Sequence, residues 1–199
     1  MFRRLNRKHR RSASTALLGV LAAASFASVA AAVTFNVDPL HSSVFFKITH
    51  FDTSNFYGRF GRVDGTVTVE NAVPTALAVR TDAESIDTNS KERDDHLRGP
   101  DFFDVKQFPD ITFKSTAIQP GKELGTFTVT GELTLHGVTK PLTATLAKTG
   151  QGKNTKGVDI VGFETTFTIK RSEFGMSGYL NKGVGDEVTL TVSLESAAQ

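Results

Sequence analysis

Residues 127–147 read FTVTGELTLHGVTKPLTATLA, and they decide the fold. Phe127, Val129, Leu133 and Leu135 alternate with Thr and Glu, and Leu142, Ala144 and Leu146 alternate with Thr. A period of two marks a strand with one buried face and one wet face. His136-Gly137 between the two runs is a tight turn, so the runs are antiparallel neighbours. The same period extends in both directions. Upstream lie Val33-Phe35-Val37, Val44-Phe46-Ile48, Val63-Val67-Val69, Leu77-Val79 and Ile111-Phe113; downstream lie Phe163-Thr165-Phe167-Ile169 and Val188-Leu190-Val192-Leu194. Gly, Pro, Asn or Asp divides the runs, and residues 150–157 (GQGKNTKG) read as a longer polar turn. Eight or nine strands with short connections and no recurring long helices exclude a doubly wound parallel sheet. Closing the sheet removes its exposed edges, and eight strands is the size whose interior just holds one small ligand. The expected fold is therefore all-β, an antiparallel eight-stranded barrel with one short helical insertion.

That insertion lies between Ser85 and Ser115, where the alternation stops. Ser90–Arg98 carries a charged helical signal, with Asn89 as the expected N-cap, Glu92 three residues on, and Gly99-Pro100 as the stop. A helix this short is marginal alone. Only Leu97 in it is strongly apolar, so Leu97 with Phe102 and Phe103 of the Phe-rich turn Pro100–Pro109 should pin it over one end of the barrel. Leu97, Phe102, Phe103 and Phe108 form the expected plug or lid.

The N-terminus reads as a secretory signal peptide. Arg3, Arg4, Arg7, Lys8, Arg10 and Arg11 form a basic segment, Thr15–Val29 an apolar one, and Ala30-Ala31-Ala32 a small-residue cleavage site. The apolar run is too short for a transmembrane helix. Ser12-Ala13-Ser14 after Arg10-Arg11 points to general secretion rather than twin-arginine export. The expected domains are a leader, 1–32, and a barrel, 33–199. The full chain carries 23 basic and 21 acidic residues; loss of the six leader cations leaves 17 against 21, a net charge of −4. Bulk charge thus makes no case for nucleic-acid binding. Cysteine is absent, and a chain of this size buries a core without disulfides. A free periplasmic protein is expected, without stable membrane insertion and without a lipid anchor.

The chain beyond the leader has 14 Phe, two Tyr and no Trp. Such a lining suits a hydrocarbon and offers little to a sugar or nucleotide. Composition does not separate a filled barrel from a hollow one, because a buried Phe contributes about 1.5–3 kcal/mol in either. Strand parity gives the candidate lining: Phe46, Ile48, Val67, Val79, Phe113, Phe127, Val129, Leu133, Phe163, Phe167 and Ile169. A mouth loop over Arg171–Gly185 adds Phe174, Met176 and Tyr179 as apolar contacts.

Four blocks together resemble the YceI-like family of lipid-binding proteins: Val37-Asp38-Pro39-x-His41-Ser42-x-Val44-x-Phe46, the Ser85–Phe113 segment, Gly131-x-Leu133-Thr134-x-His136-Gly137-Val138-Thr139-x-Pro141, and Arg171-Ser172-x-Phe174-Gly175. The departures are Gly99 where Ser is common and Glu173 where Asp is usual; neither alters the apolar pattern. The resemblance implies a lipocalin-like barrel holding a polyisoprenoid, an isoprenoid quinone precursor or a similar long-chain lipid, with no cofactor and no catalytic residue. Whether two barrels form a homodimer is left open.

Two other classes compete. The first is a hydrolase using His41 or His96 with a nearby carboxylate, although no G-x-S-x-G elbow is present and Ser42 and His41 face opposite sides of a strand. The second is a filled-barrel stress or interaction protein. For metal binding, His41 and His50 lie about 30 Å apart on an extended strand, and Glu92/His96 at helical spacing reads better as a solvated face. Arg93 and Arg98 with Asp94, Asp101 and Asp104 read as ion pairs fastening the helix, with recognition of a lipid head group as the alternative.

Overall fold

In a computed structural model the protein is described over residues 31–199, so the expected leader lies, up to residue 30, outside the described residues. Eleven strand segments form one antiparallel sheet: β1 (Val33–Val37), β2 (Ser43–His50), β3 (Ser54–Phe60), β4 (Val63–Glu70), β5 (Val73–Asp82), β6 (Ile86–Asp87), β7 (Asp110–Pro120), β8 (Thr126–Leu135), β9 (Val138–Lys153), β10 (Asp159–Lys170) and β11 (Val184–Ala198). Helix α1 (Lys91–Leu97) lies between β6 and β7.

The segments make eight staves, because three pairs run end to end. β1 and β2 both lie along β11, with Val37 opposite Ser196 and Ser43 opposite Ser193. β4 and β3 face them on the other side, with Thr66 opposite Asn36 and Phe60 opposite Val44. β5 and β6 form the next stave, and β7 to β11 complete the circuit back to β1. The result is a closed eight-stranded antiparallel barrel with one helix.

The breaks within the three composite staves fall side by side and are tied by short polar side chains. In the first, the Asp38 carboxylate accepts from the Leu40 N–H at 2.8 Å, and the Ser42 hydroxyl accepts from the Glu195 N–H at 3.0 Å. Across the second and third, the Ser85 hydroxyl accepts from the N–H groups of Gly61 and Arg62 at 3.2 and 3.3 Å. Backbone groups freed from the ladder are satisfied in this way rather than left orphaned. This row divides the wall into two halves. Beside β1 and β4 the interior is packed solid: Phe163, Val67 and Val63 are fully buried, with Phe35 and Phe127 around them. Beside β2, β3 and β6 it is hollow.

Local readings are corrected in three places. β3 was not expected. The helix is capped by Ser90, whose hydroxyl accepts from the Arg93 N–H at 3.5 Å, not by Asn89. Asn89 instead takes a left-handed conformation, φ 61°, and its N–H donates to Asp87. Finally, β9 continues through the first half of 150–157, to Lys153, leaving a turn at 154–158 where the Asn154 side chain accepts from the N–H groups of Lys156 and Val158. A backbone ladder needs no apolar side chains, so alternation ends before the strands do.

Candidate functional site: an apolar cavity in two chambers

The hollow half encloses an outer chamber of about 390 Å³, and a second, inner chamber of about 90 Å³ runs deeper into the barrel. Ile111, Leu133 and Leu190 line both and form the passage between them. The candidate lining residues on the strands point inward, but the candidates as a whole divide among three surroundings. Phe46, Ile48, Leu97, Phe102, Phe103, Leu133 and Ile169 line the outer chamber. Val79, Phe113, Val129, Leu133 and Phe167 line the inner one.

The remaining candidates line neither chamber. Val67, Phe127 and Phe163 belong to the solid end, where opposing side chains meet and leave no space. Phe174 turns back onto Leu133, Leu135 and Met176. Phe108 leaves the expected plug and packs edge-on against His136 at 4.6 Å, over Gly137, whose left-handed backbone (φ 73°) and missing side chain make room for the ring.

Several lining residues had not been singled out as ligand contacts, among them Phe56, Phe60, Ile86, Leu135, Val184 and Val188. Their signal is the inward parity of β3, where Phe56, Gly58 and Phe60 alternate. Gly58 stands opposite Phe46, and a Cβ there would lie 2.3 Å from the Phe46 ring, so the glycine is the space the ring occupies. Phe46 in turn packs on Phe60 at 5.8 Å, and Phe60 meets Phe103 edge-on at 5.5 Å. These contacts join the barrel wall to the segment that covers it.

That segment is held chiefly by arginine donors to backbone carbonyls rather than by the expected ion pairs. Arg98 donates to the carbonyls of Glu84 and Ile86, both at 2.8 Å. Arg93 donates to the Thr88 carbonyl at 2.6 Å and lies 4.4 Å over the Phe56 ring. Asp94 is buried and accepts from the Thr88 N–H at 2.9 Å. Charge-assisted bonds of this kind are stronger than neutral ones, which lets a seven-residue helix stay formed. At the mouth, Phe102 and Tyr179 stack at 5.7 Å, and His96 meets both edge-on at 5.2 and 5.6 Å.

Arg171 organises the opposite rim. Its side chain is 4% exposed, and its guanidinium donates to the carbonyls of Gly185, Met176, Gly178 and Val184 at 2.7–3.1 Å. This closes the 175–185 loop against the barrel and brings Met176 and Tyr179 to the chamber. Burial pushes the guanidinium below its ordinary pKa, and the charge of Asp186 opposes that shift. Burial pulls the Asp186 carboxyl upward, but the Ser172 N–H and hydroxyl, at 2.9 and 2.8 Å, hold it below its ordinary value.

The histidines are dispersed. His50 and His96 line the outer chamber, and His136 Nδ1 donates to the Phe174 carbonyl at 3.1 Å. His41 stands on the outer wall with Asp38 at 2.8 Å and Glu195 at 3.8 Å. The hydrogen bond to Asp38 raises the His41 pKa and lowers that of Asp38. This is the trio whose ligand atoms come close enough for a metal among the described residues, and Glu92/His96 is not part of it. The Ser42 hydroxyl beside it is occupied by the Glu195 backbone, so it offers His41 no free nucleophile.

Fold and cavity together define a closed antiparallel barrel with an apolar interior cavity, covered by a helical segment and an arginine-clasped loop. The YceI-like domain profile matches residues 35–196, and the chain belongs to the YceI-like family. The protein YceI of Salmonella newport is 38% identical over 174 residues, covering 86% of this chain and 90% of that protein. The crystal structure of BcnA from Burkholderia cenocepacia superposes with a TM-score of 0.71 at 27% identity, covering 80% of this chain and 98% of that one. A polyisoprenoid binding domain from Saccharophagus degradans shares the fold with a TM-score of 0.67 at 15% identity, over 84% of this chain and 99% of that domain.

Proposed function

We propose that this barrel binds a long apolar lipid of the polyisoprenoid or isoprenoid-quinone-precursor class and sequesters or carries it in the periplasm, without catalysing a reaction on it. The observation that carries the reading is the pair of connected chambers, walled almost wholly by hydrocarbon side chains inside a closed barrel. An apolar chain leaving water for such a space gains about 25 cal/mol per Å² of surface buried, with no need for directional contacts. Two chambers joined past Ile111, Leu133 and Leu190 suit a chain rather than a compact ring system. Family membership supports a binding role, and so does the polyisoprenoid ligand in the name of the Saccharophagus domain. The hydrolase reading draws no support from His41, which lines neither chamber; His96 lines the outer one, with Asp101 at 3.3 Å and the rings of Phe102 and Tyr179 packed edge-on against it.

The test is extraction of protein purified from its own periplasm, followed by mass spectrometry of the solvent phase. A lipid in stoichiometric amount, with an isoprene-unit mass ladder across species, is expected. An extract without lipid, from protein that also takes up no polyprenol in solution, refutes the reading.

A further inference from the structure

The two chambers differ in charge as well as in volume. The inner one contains no ionisable side chain; its polar members are Thr81, Thr112 and Thr165. The outer one is lined by Arg93, Arg171, His50, His96 and Tyr179, and no Asp or Glu lines either chamber. The acids of the covering segment have other partners: Asp94 binds Thr88, Asp95 binds Lys91 and Arg98, and Asp101 binds His96 at the chamber's rim. None of the three forms an ion pair with Arg93 or Arg171.

Arg171 sharpens this asymmetry. A guanidinium has five N–H donors, and four hydrogen bonds to carbonyls are formed. Among the described residues no carboxylate lies within ion-pair distance of Arg171; the Asp186 oxygens accept from Ser172, and the Asp186 charge reaches Arg171 only from further off. A desolvated cation whose hydrogen bonds all go to carbonyls retains charge toward the space it lines, and buried charges are ordinarily paired. Arg93 at the rim adds a second guanidinium: its Nε and one terminal nitrogen donate to Thr88, and its other N–H groups are left to suit an oxyanion.

We infer that the bound lipid is an amphiphile with an anionic oxygen head, a carboxylate or a phosphate, seated in the outer chamber against Arg171 and Arg93 with its tail passing Ile111, Leu133 and Leu190 into the inner chamber. The inference rests on the lipid-binding reading and adds to it the chemistry of the head and the direction of entry. A cationic head in the same place meets two guanidinium groups and no acid.

The experiment is displacement of the neutral fluorescent probe N-phenyl-1-naphthylamine from the full barrel at neutral pH by hexadecanoate, hexadecanol and hexadecylamine, each below its micelle concentration. A charge-assisted bond predicts that hexadecanoate competes at a concentration about tenfold lower than hexadecylamine, with hexadecanol between them. Arg171→Gln should bring carboxylate and amine to within about twofold of each other, whatever its effect on the affinity common to all three ligands. Because Arg171 also clasps the mouth loop, Arg93→Gln is the companion variant, and it should reduce the preference in part. Equal competition by carboxylate and amine in the unaltered protein overturns the inference while leaving lipid binding in place. Failure of the probe and of hexadecanol to bind at all overturns the lipid reading itself, and the inference with it.

Discussion

Filling the inner chamber is the sharpest perturbation the geometry offers. Ala144 lies on β9 opposite Val129 of β8 and lines that chamber, so Ala144→Phe projects a ring into its roughly 90 Å³. At about 10–15 Å³ of such space per water-sized group, the chamber takes roughly six to nine waters, or about five methylene carbons. Each buried CH₂ contributes about 0.8 kcal/mol, so excluding five costs a long ligand about 4 kcal/mol, close to a thousandfold in affinity. A chain short enough to stay in the outer chamber loses nothing. The assay is affinity against chain length for a homologous series of fatty acids or prenols. In the parent protein affinity rises with length; in Ala144→Phe the rise ends about five carbons earlier. An unchanged length profile, in a variant shown to be folded, would refute the assignment of the inner chamber as the seat of the tail.

Two further outcomes separate structure from binding. Phe163→Ala, in the solid end, should destabilise the barrel by about 3–5 kcal/mol in urea unfolding while leaving the chain-length profile intact; a loss of binding without loss of stability would place Phe163 at the ligand. The His41 pKa is raised above 6.5, so its contribution to stability is complete below 6.5 and disappears as pH rises through the raised value. Asp38 is lowered from 3.8, so its share is present above 3.8 and fades as pH falls below it. The stability difference between the parent and His41→Asn should therefore shrink as pH increases past neutrality, and a difference constant with pH would show that the His41–Asp38 bond does not couple to folding.

Much of the architecture was legible because strand alternation is a local signal. The 127–147 hairpin, the helix before Gly99-Pro100 and the inward parity of the candidate strands can all be read one segment at a time. β3 was harder. Its inner face is Phe56, Gly58 and Phe60, and the glycine that interrupts the apolar pattern is there because the Phe46 ring fills its place from the neighbouring strand. The mouth loop was marked by its Gly, Met and Tyr content, but the capture of four carbonyls by Arg171 was not, since those carbonyls lie up to 14 residues further along the chain.

Phe163 and Phe167 show where reading by sequence stops. They lie one helical turn apart in number but on the same face of β10, and both point inward. Phe163 is sealed in the solid end and Phe167 lines the inner chamber. The amino-acid order by itself determined most of the strands, their inward faces, their antiparallel pairing and the place of the single helix, because each depends on residues near one another in the chain; β3 is the exception. Only the tertiary structure decided that the barrel is filled at one end and hollow at the other. Empty volume is what remains after side chains from all eight staves have met, and it depends on the breaks in three staves falling side by side around the closed circuit, which no stretch of sequence records alone.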